Sequence, residues 1–177
     1  MKIISGKYKG RIIKGFDISG TRPTMDRVRE SLFAILKPYL SDSVVVDLFA
    51  GTGSLGFEAL SNGAKKVIFV DKNIKCLNQI KLEISTMKIT EETKLVNKDY
   101  LDALNDMKDI DIIFLDPPYH ENLLNKAIKK IEELNILKDD GLLIAEYEEE
   151  NPICNYRLIK EKKYGNKYIK IFQKNYR

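Results

Sequence analysis

The sequence predicts an α/β fold in which a mostly parallel, seven-stranded sheet carries helices on both faces and closes with an antiparallel C-terminal hairpin. Three observations carry this expectation. From residue 43 onward, short continuous apolar runs alternate with stretches whose apolar residues recur at helical spacing. Turn-forming residues stand where each run ends. The last segment changes rhythm, alternating apolar with polar on either side of Tyr164-Gly165-Asn166.

Two short β-type runs at 2–5 and 11–14 flank Lys7-Tyr8-Lys9-Gly10 and predict an N-terminal hairpin, which Gly20-Thr21-Arg22-Pro23 ends. Thr24 then caps a helix through about Lys37, with Val28, Leu32, Ile35 and Leu36 on one face and Pro38 near its end. Strands follow at 44–49, 66–71, 94–97, 111–116 and 141–146. Helices at 55–60, 73–87, 100–107 and 121–134 separate them, and the hairpin strands lie at 157–161 and 168–173. The acidic run Glu146-Tyr147-Glu148-Glu149-Glu150 reads as an exposed strand end and loop. With 177 residues there is room for one domain, 41–177, and a small extension, 1–40.

Composition narrows the function. The apolar runs fall far short of the ~18 residues that a membrane span requires, and charges interrupt the N-terminus before a signal-peptide core forms. Cys76 and Cys154 lack metal-ligand spacing, so structural zinc is close to excluded, no metal is expected, and a reduced, cytoplasmic, monomeric protein is the expectation. The net charge is only +4, but residues 1–40 carry nine basic against three acidic groups. The basicity is concentrated at one end, as expected where a polyanion binds, although a solvated charged face has the same composition.

Two motifs carry chemistry. Asp47-Leu48-Phe49-Ala50-Gly51-Thr52-Gly53-Ser54-Leu55-Gly56 follows a strand and opens a helix, as nucleoside-binding glycine loops do. Asp71 ends the next strand and is positioned to hold a ribose diol; the plainer alternative is that it caps the helix at Asn73. A carboxylate at Asp47 suits the ammonium of an amino acid and repels a pyrophosphate, which favours S-adenosylmethionine over NAD, unless Asp47 instead faces solvent or bonds loop amides. Phe49 and Lys72 flank these positions and join the cofactor set. Asp99 and Tyr100 end the third strand, offering an acceptor to an adenine amine and a ring to its face.

The second motif is Asp116-Pro117-Pro118-Tyr119, at the end of the strand expected beside the first. Two prolines fix the backbone and remove donors, leaving a cluster of acceptors for an exocyclic amine, while Tyr119 offers a face on which a base can stack. A rigid turn ending a strand is the bland alternative. His120, the one histidine, reads as a neighbouring loop residue rather than a base.

These motifs resemble Rossmann-like S-adenosylmethionine-dependent amino-methyltransferases. Gly6-Lys7-Tyr8-Lys9-Gly10-Arg11, the block from Arg22-Pro23-Thr24 to Ser31-Leu32-Phe33, and Gly56-Phe57-Glu58-Ala59-Leu60-Ser61-Asn62-Gly63-Ala64 are similar to the RsmD family of 16S ribosomal RNA guanine-N2 methyltransferases. The resemblance spans nearly the whole chain. It implies that Asp47, Gly51 and Gly53 line the methionine part of the cofactor, Asp71 its ribose, and Asp99 and Tyr100 its adenine. Arg22, Pro23 and Thr24 would close over cofactor or target, and Asp116 to Tyr119 would grip the guanine. Lys7, Lys9, Arg11, Arg22 and Arg27 would hold RNA, either 16S rRNA or an assembling small-subunit particle. The chain departs from the family at Met25, where Thr is common. An adenine-N6 or glutamine methyltransferase, a non-catalytic RNA-binding protein and, more remotely, a nicotinamide dehydrogenase are the competing readings.

Overall fold

The computed structural model describes residues 1–14, 23–119 and 121–175. Helix α1 (Pro23–Leu40) precedes an alternation of β1 (Val44–Asp47), α2 (Ser54–Ser61), β2 (Lys66–Val70), α3 (Ile74–Met87), β3 (Thr93–Val96), α4 (Tyr100–Leu104), β4 (Ile110–Leu115) and α5 (Leu124–Glu133). Three strands then run in sequence: β5 (Leu137–Tyr147), β6 (Arg157–Tyr164) and β7 (Lys167–Gln173). They form one seven-stranded sheet in the order β3-β2-β1-β4-β5-β7-β6. Strands β1 to β5 are parallel, β7 is antiparallel to β5, and β6 is antiparallel to β7. The order reverses between β1 and β4, so their carboxyl ends open a crevice where such sheets bind ligands.

Each face of the sheet has its own apolar layer, which explains why the central strands read as continuous apolar runs. One layer joins Val45, Phe69 and Phe114 to α1, α2 and α3; the other joins Val46, Ile113 and Leu143 to α4 and α5. Among the described residues no helix is long and apolar enough to cross a membrane, and no cluster of three or more His, Cys, Asp and Glu is arranged to hold a metal.

Four expectations change in detail. The N-terminal segment is not a regular two-stranded ladder: Lys2 and Ile12 form a single antiparallel bridge, supported by Ile3 N–H donating to the Arg11 carbonyl. Its buried residues, Ile3 and Ile13, join the layer that holds α1 and α2. The Glu58 side chain of α2 accepts from the Ile4 amide and the Ser5 hydroxyl, and Ser61 Oγ accepts from the Tyr8 amide. Thr24 lies inside the first turn of α1, which begins at Pro23, so it is not the residue before the helix.

Helix α5 starts three residues later than expected because its cap comes from far away. The Glu150 carboxylate accepts from the Leu124 and Asn125 amides at 3.0 and 3.1 Å, fixing the first turn there. That also corrects the reading of the acidic run as exposed: Tyr147 is buried, Glu146 nearly so, and Glu150 is a helix cap.

Candidate active site

The carboxyl ends of β1 to β4 surround a chamber of about 570 Å³, a size usual for small-molecule sites. Phe49 and Gly51 reach it from β1, Asp71 and Lys72 from β2, Lys98, Asp99 and Tyr100 from β3, and the Asp116-Pro117-Pro118-Tyr119 motif from β4.

The glycine loop is built by backbone geometry. Gly53, with φ of 84°, is the left-handed residue from which α2 springs, a conformation that a side chain disfavours. Gly56 serves close packing instead, since a Cβ there would fall 2.2 Å from the Phe69 ring. Asp71 ties the loop to the next strand: its Oδ2 accepts from the Gly51 amide and its Oδ1 from the Asn73 amide, both at 2.9 Å. The helix cap is Asn73 itself, whose Oδ1 accepts from the Lys75 amide at 3.0 Å. Asp71 therefore both lines the chamber and buttresses the turn.

Asp47 stands apart from the expectation drawn for it. It is buried at 2% exposure and does not line the chamber; its Oδ2 accepts from the Gly56 amide at 3.1 Å. This is the alternative in which Asp47 bonds loop amides. Burial pushes its carboxyl up to about 7, against the opposing pull of the Gly56 amide, and the Asp71 charge adds to the rise. Gly53 likewise does not line the chamber.

At the opposite wall Tyr100 packs on Phe49, with ring centroids 5.1 Å apart. Burial, with the nearby Asp99 and Glu150 charges, raises the Tyr100 hydroxyl above its ordinary range. Asp99 caps α4 by accepting from the Leu101 amide at 3.1 Å, and remains exposed at the chamber's edge.

Around Asp116 the arrangement is of another kind. Its carboxyl is raised well above the usual range by burial first, then by Glu146, with Lys167 opposing and Asp47 adding to the rise. Glu146, on β5, pairs with Lys167, on β7, at 2.8 Å. The Lys167 ammonium also sits 5.6 Å from the Tyr119 ring centroid. Burial lowers the Lys167 ammonium's hold on its proton, but Glu146 overcomes that and the net direction is upward. Tyr119 is 37% exposed, an open ring at the mouth of the chamber.

Glu146 and Lys167 are charged residues that sequence reasoning missed, as is Lys98 at the chamber wall. The parallel pairing of β4 with β5 was a usable signal for Glu146; Lys167 depends on the register of the final hairpin, which no motif marks. Of the expected RNA contacts, Lys7, Lys9 and Arg27 are exposed and Arg11 is half-buried. Arg29, one of the basic residues counted at this end, is buried: it donates to the Lys2 carbonyl and pairs with Asp26 and Glu58. Arg22 and His120, with the side chains of Pro23 and Thr24, lie outside the described residues.

Residues 1–173 match the family described as Conserved hypothetical protein 95. The chain is 41% identical over 180 residues to the ribosomal RNA small subunit methyltransferase D of Haemophilus influenzae, spanning 98% of this chain and 93% of that protein. It belongs to the RsmD family. A putative rRNA methyltransferase of Bacillus subtilis, YlbH, is 35% identical, with 98% of this chain and 99% of that protein covered. A solved structure described as a putative methyltransferase from Escherichia coli superimposes with a TM-score of 0.89 at 32% identity, covering 100% of this chain and 99% of that one. The RsmD signature blocks fall on the N-terminal arm, on α1 and on α2 with the turn that follows it, around a Rossmann-like methyltransferase sheet.

Proposed function

We propose that this chain transfers the methyl group of S-adenosylmethionine to the exocyclic N2 amine of a guanine in small-subunit rRNA. One observation carries the reading. The acceptor-rich motif Asp116 to Tyr119 and the set Gly51, Asp71, Asp99 and Tyr100 line the same chamber, so a nucleoside held by one set and an amine held by the other share one space. The RsmD relatives named as rRNA methyltransferases support the substrate class.

The residues fit such a cofactor. Phe49 and Tyr100 supply aromatic surface for a base, and Asp99 supplies an acceptor at their edge. Each Asp71 oxygen takes one amide and keeps a lone pair for a ribose hydroxyl. When bound, S-adenosylmethionine supplies an electrophilic methyl on a sulfonium.

What remains is the work of the chain's own side chains. Tyr119 stacks the extruded base and Asp116 accepts hydrogen bonds from its amine, orienting the nitrogen lone pair. The Asp116 carboxyl, held above its usual range, takes the proton that the newly methylated amine sheds. Residues 1–40 face the RNA, with Lys7, Lys9, Arg11 and Arg27 on phosphates, and the protein acts as a cytoplasmic monomer on rRNA or an assembling particle.

The deciding experiment incubates the protein and a labelled methyl donor with small-subunit RNA, with and without ribosomal proteins, and maps the label. N2-methylguanine at one nucleotide is expected; label on adenine N6 or on protein, or no transfer, overturns the reading. Reversing Lys7, Lys9 and Arg11 to Glu should weaken RNA binding and flatten its dependence on salt, by roughly one unit of slope for each phosphate that is no longer neutralised. Unchanged binding at low salt would remove the RNA-facing role of the arm.

A further inference from the structure

We infer that Glu146 and Lys167 read the edge of the target guanine beside the amine that is methylated, an inference that rests on the guanine-N2 reading above. The strand ladders fix their order. Leu115 of β4 pairs with Ala145 of β5, so Asp116 and Glu146 are the next residues outward on adjacent strands. Glu146 pairs with Ile169 of β7, and Lys167 lies two residues from Ile169 on the same face. The result is a row: Asp116, Glu146, Lys167.

In chemical terms that row is acceptor, acceptor, donor. The Watson–Crick edge of guanine is donor, donor, acceptor: the N2 amine, N1–H and O6. With N2 on Asp116, the N1–H falls to Glu146 and O6 to Lys167. Adenine entering by its own amine places the lone pair of N1 against the Glu146 carboxylate, which rejects it.

Burial and charge support the assignment. The Glu146 and Lys167 side chains are 12% and 25% exposed, too enclosed for an ordinary surface pair. Two carboxyls meet there beside one ammonium, an arrangement that costs the fold unless donors arrive from a substrate. The three residues also line a smaller cavity of about 100 Å³ that α1 bounds with Met25 and Val28. Asp116 and Lys167 line the main chamber as well, and Glu146 lies behind them on the side of the smaller cavity. The Lys167 ammonium stands 5.6 Å from the centroid of the Tyr119 ring, beside the place proposed for the base.

The test uses small-subunit RNA, ligated to carry either guanine or 2,6-diaminopurine at the nucleotide mapped above. Diaminopurine keeps the N2 amine but replaces N1–H by a lone pair and O6 by an amine. Wild-type protein should methylate guanine at least ~10²-fold better in kcat/KM, since a site built to bond a polar edge rejects the analogue that lacks it. Glu146→Gln and Lys167→Met should each collapse that preference to within about tenfold, with calorimetric affinity for S-adenosylhomocysteine unchanged. Equal wild-type rates on the two bases overturn the inference without any variant, and so does a preference that survives both substitutions. In either case N2-methylguanine still forms and the parent reading stands. Failure of wild-type protein to make N2-methylguanine removes both.

Discussion

The two halves of the chamber treat their carboxylates differently. On the β1–β3 side, the acids at the sheet edge have backbone partners: Asp71 takes amides of Gly51 and Asn73, Asp99 that of Leu101, and Asp47 that of Gly56. On the β4–β7 side, Asp116 faces Glu146, and Lys167 is the cation between them and the Tyr119 ring. The first half is organised before any ligand arrives. The second half holds an electrostatic conflict that a donor-rich substrate resolves, a division expected where binding and reaction are assigned to different walls.

The contrast between the halves is most vulnerable at Asp116. Asp116→Ala should lower methyl transfer by ~10²–10³-fold, the cost of removing a group aimed at the reacting atoms. Cofactor affinity should hold and the thermal midpoint should not fall, because a conflicted carboxyl has gone. A lowered midpoint with retained turnover would reverse the contrast.

Asp47 tests the other side through pH. Its folded carboxyl titrates at about 7 and its unfolded one near 3.8, so between those values the folded state holds the extra proton. Stability from this group is complete below about pH 4 and is lost as pH rises to about 7. Asp47→Asn should therefore be more stable than wild type at pH ~8 by up to ~4 kcal/mol, with the gap closing toward pH ~4 in urea melts. A gap independent of pH would show that burial of the charge is not its cause.

Smaller effects are expected at two further carboxylates. Asp71→Ala should weaken S-adenosylhomocysteine binding by about 10–100-fold in calorimetry, as charged hydrogen bonds and the loop buttress are removed together. Unchanged affinity would separate Asp71 from the cofactor. Glu150→Ala should cost about 1 kcal/mol in denaturant unfolding, the usual scale of a missing helix cap. No change there would mean that water serves the Leu124 and Asn125 amides equally well.

The same division explains which parts of the site are legible in the sequence. The β1–β3 side is local: the glycine loop, Asp71 and Asp99 each sit where an apolar run stops, and a strand end with its following turn can be read within a few residues. Asp116 is legible for that reason too. Glu146 and Lys167 are linked to it only through strand pairing, and Glu150 caps a helix 25 residues upstream, so the acidic run has the look of a solvent-facing loop. Asp47 shows a different limit. Its position beside the loop is plain, but whether its carboxyl turns toward the chamber or the Gly56 amide is a matter of rotamer, which spacing does not encode.

The anchoring of the first residues onto α2 has a consequence for the order in which the protein is made. Ile4, Ser5 and Tyr8 find their partners at Glu58 and Ser61, more than fifty positions downstream. A nascent chain leaving the ribosome must hold this lysine-rich tip undocked until the first βα unit has emerged, next to the kind of polyanion that the mature arm is proposed to grip.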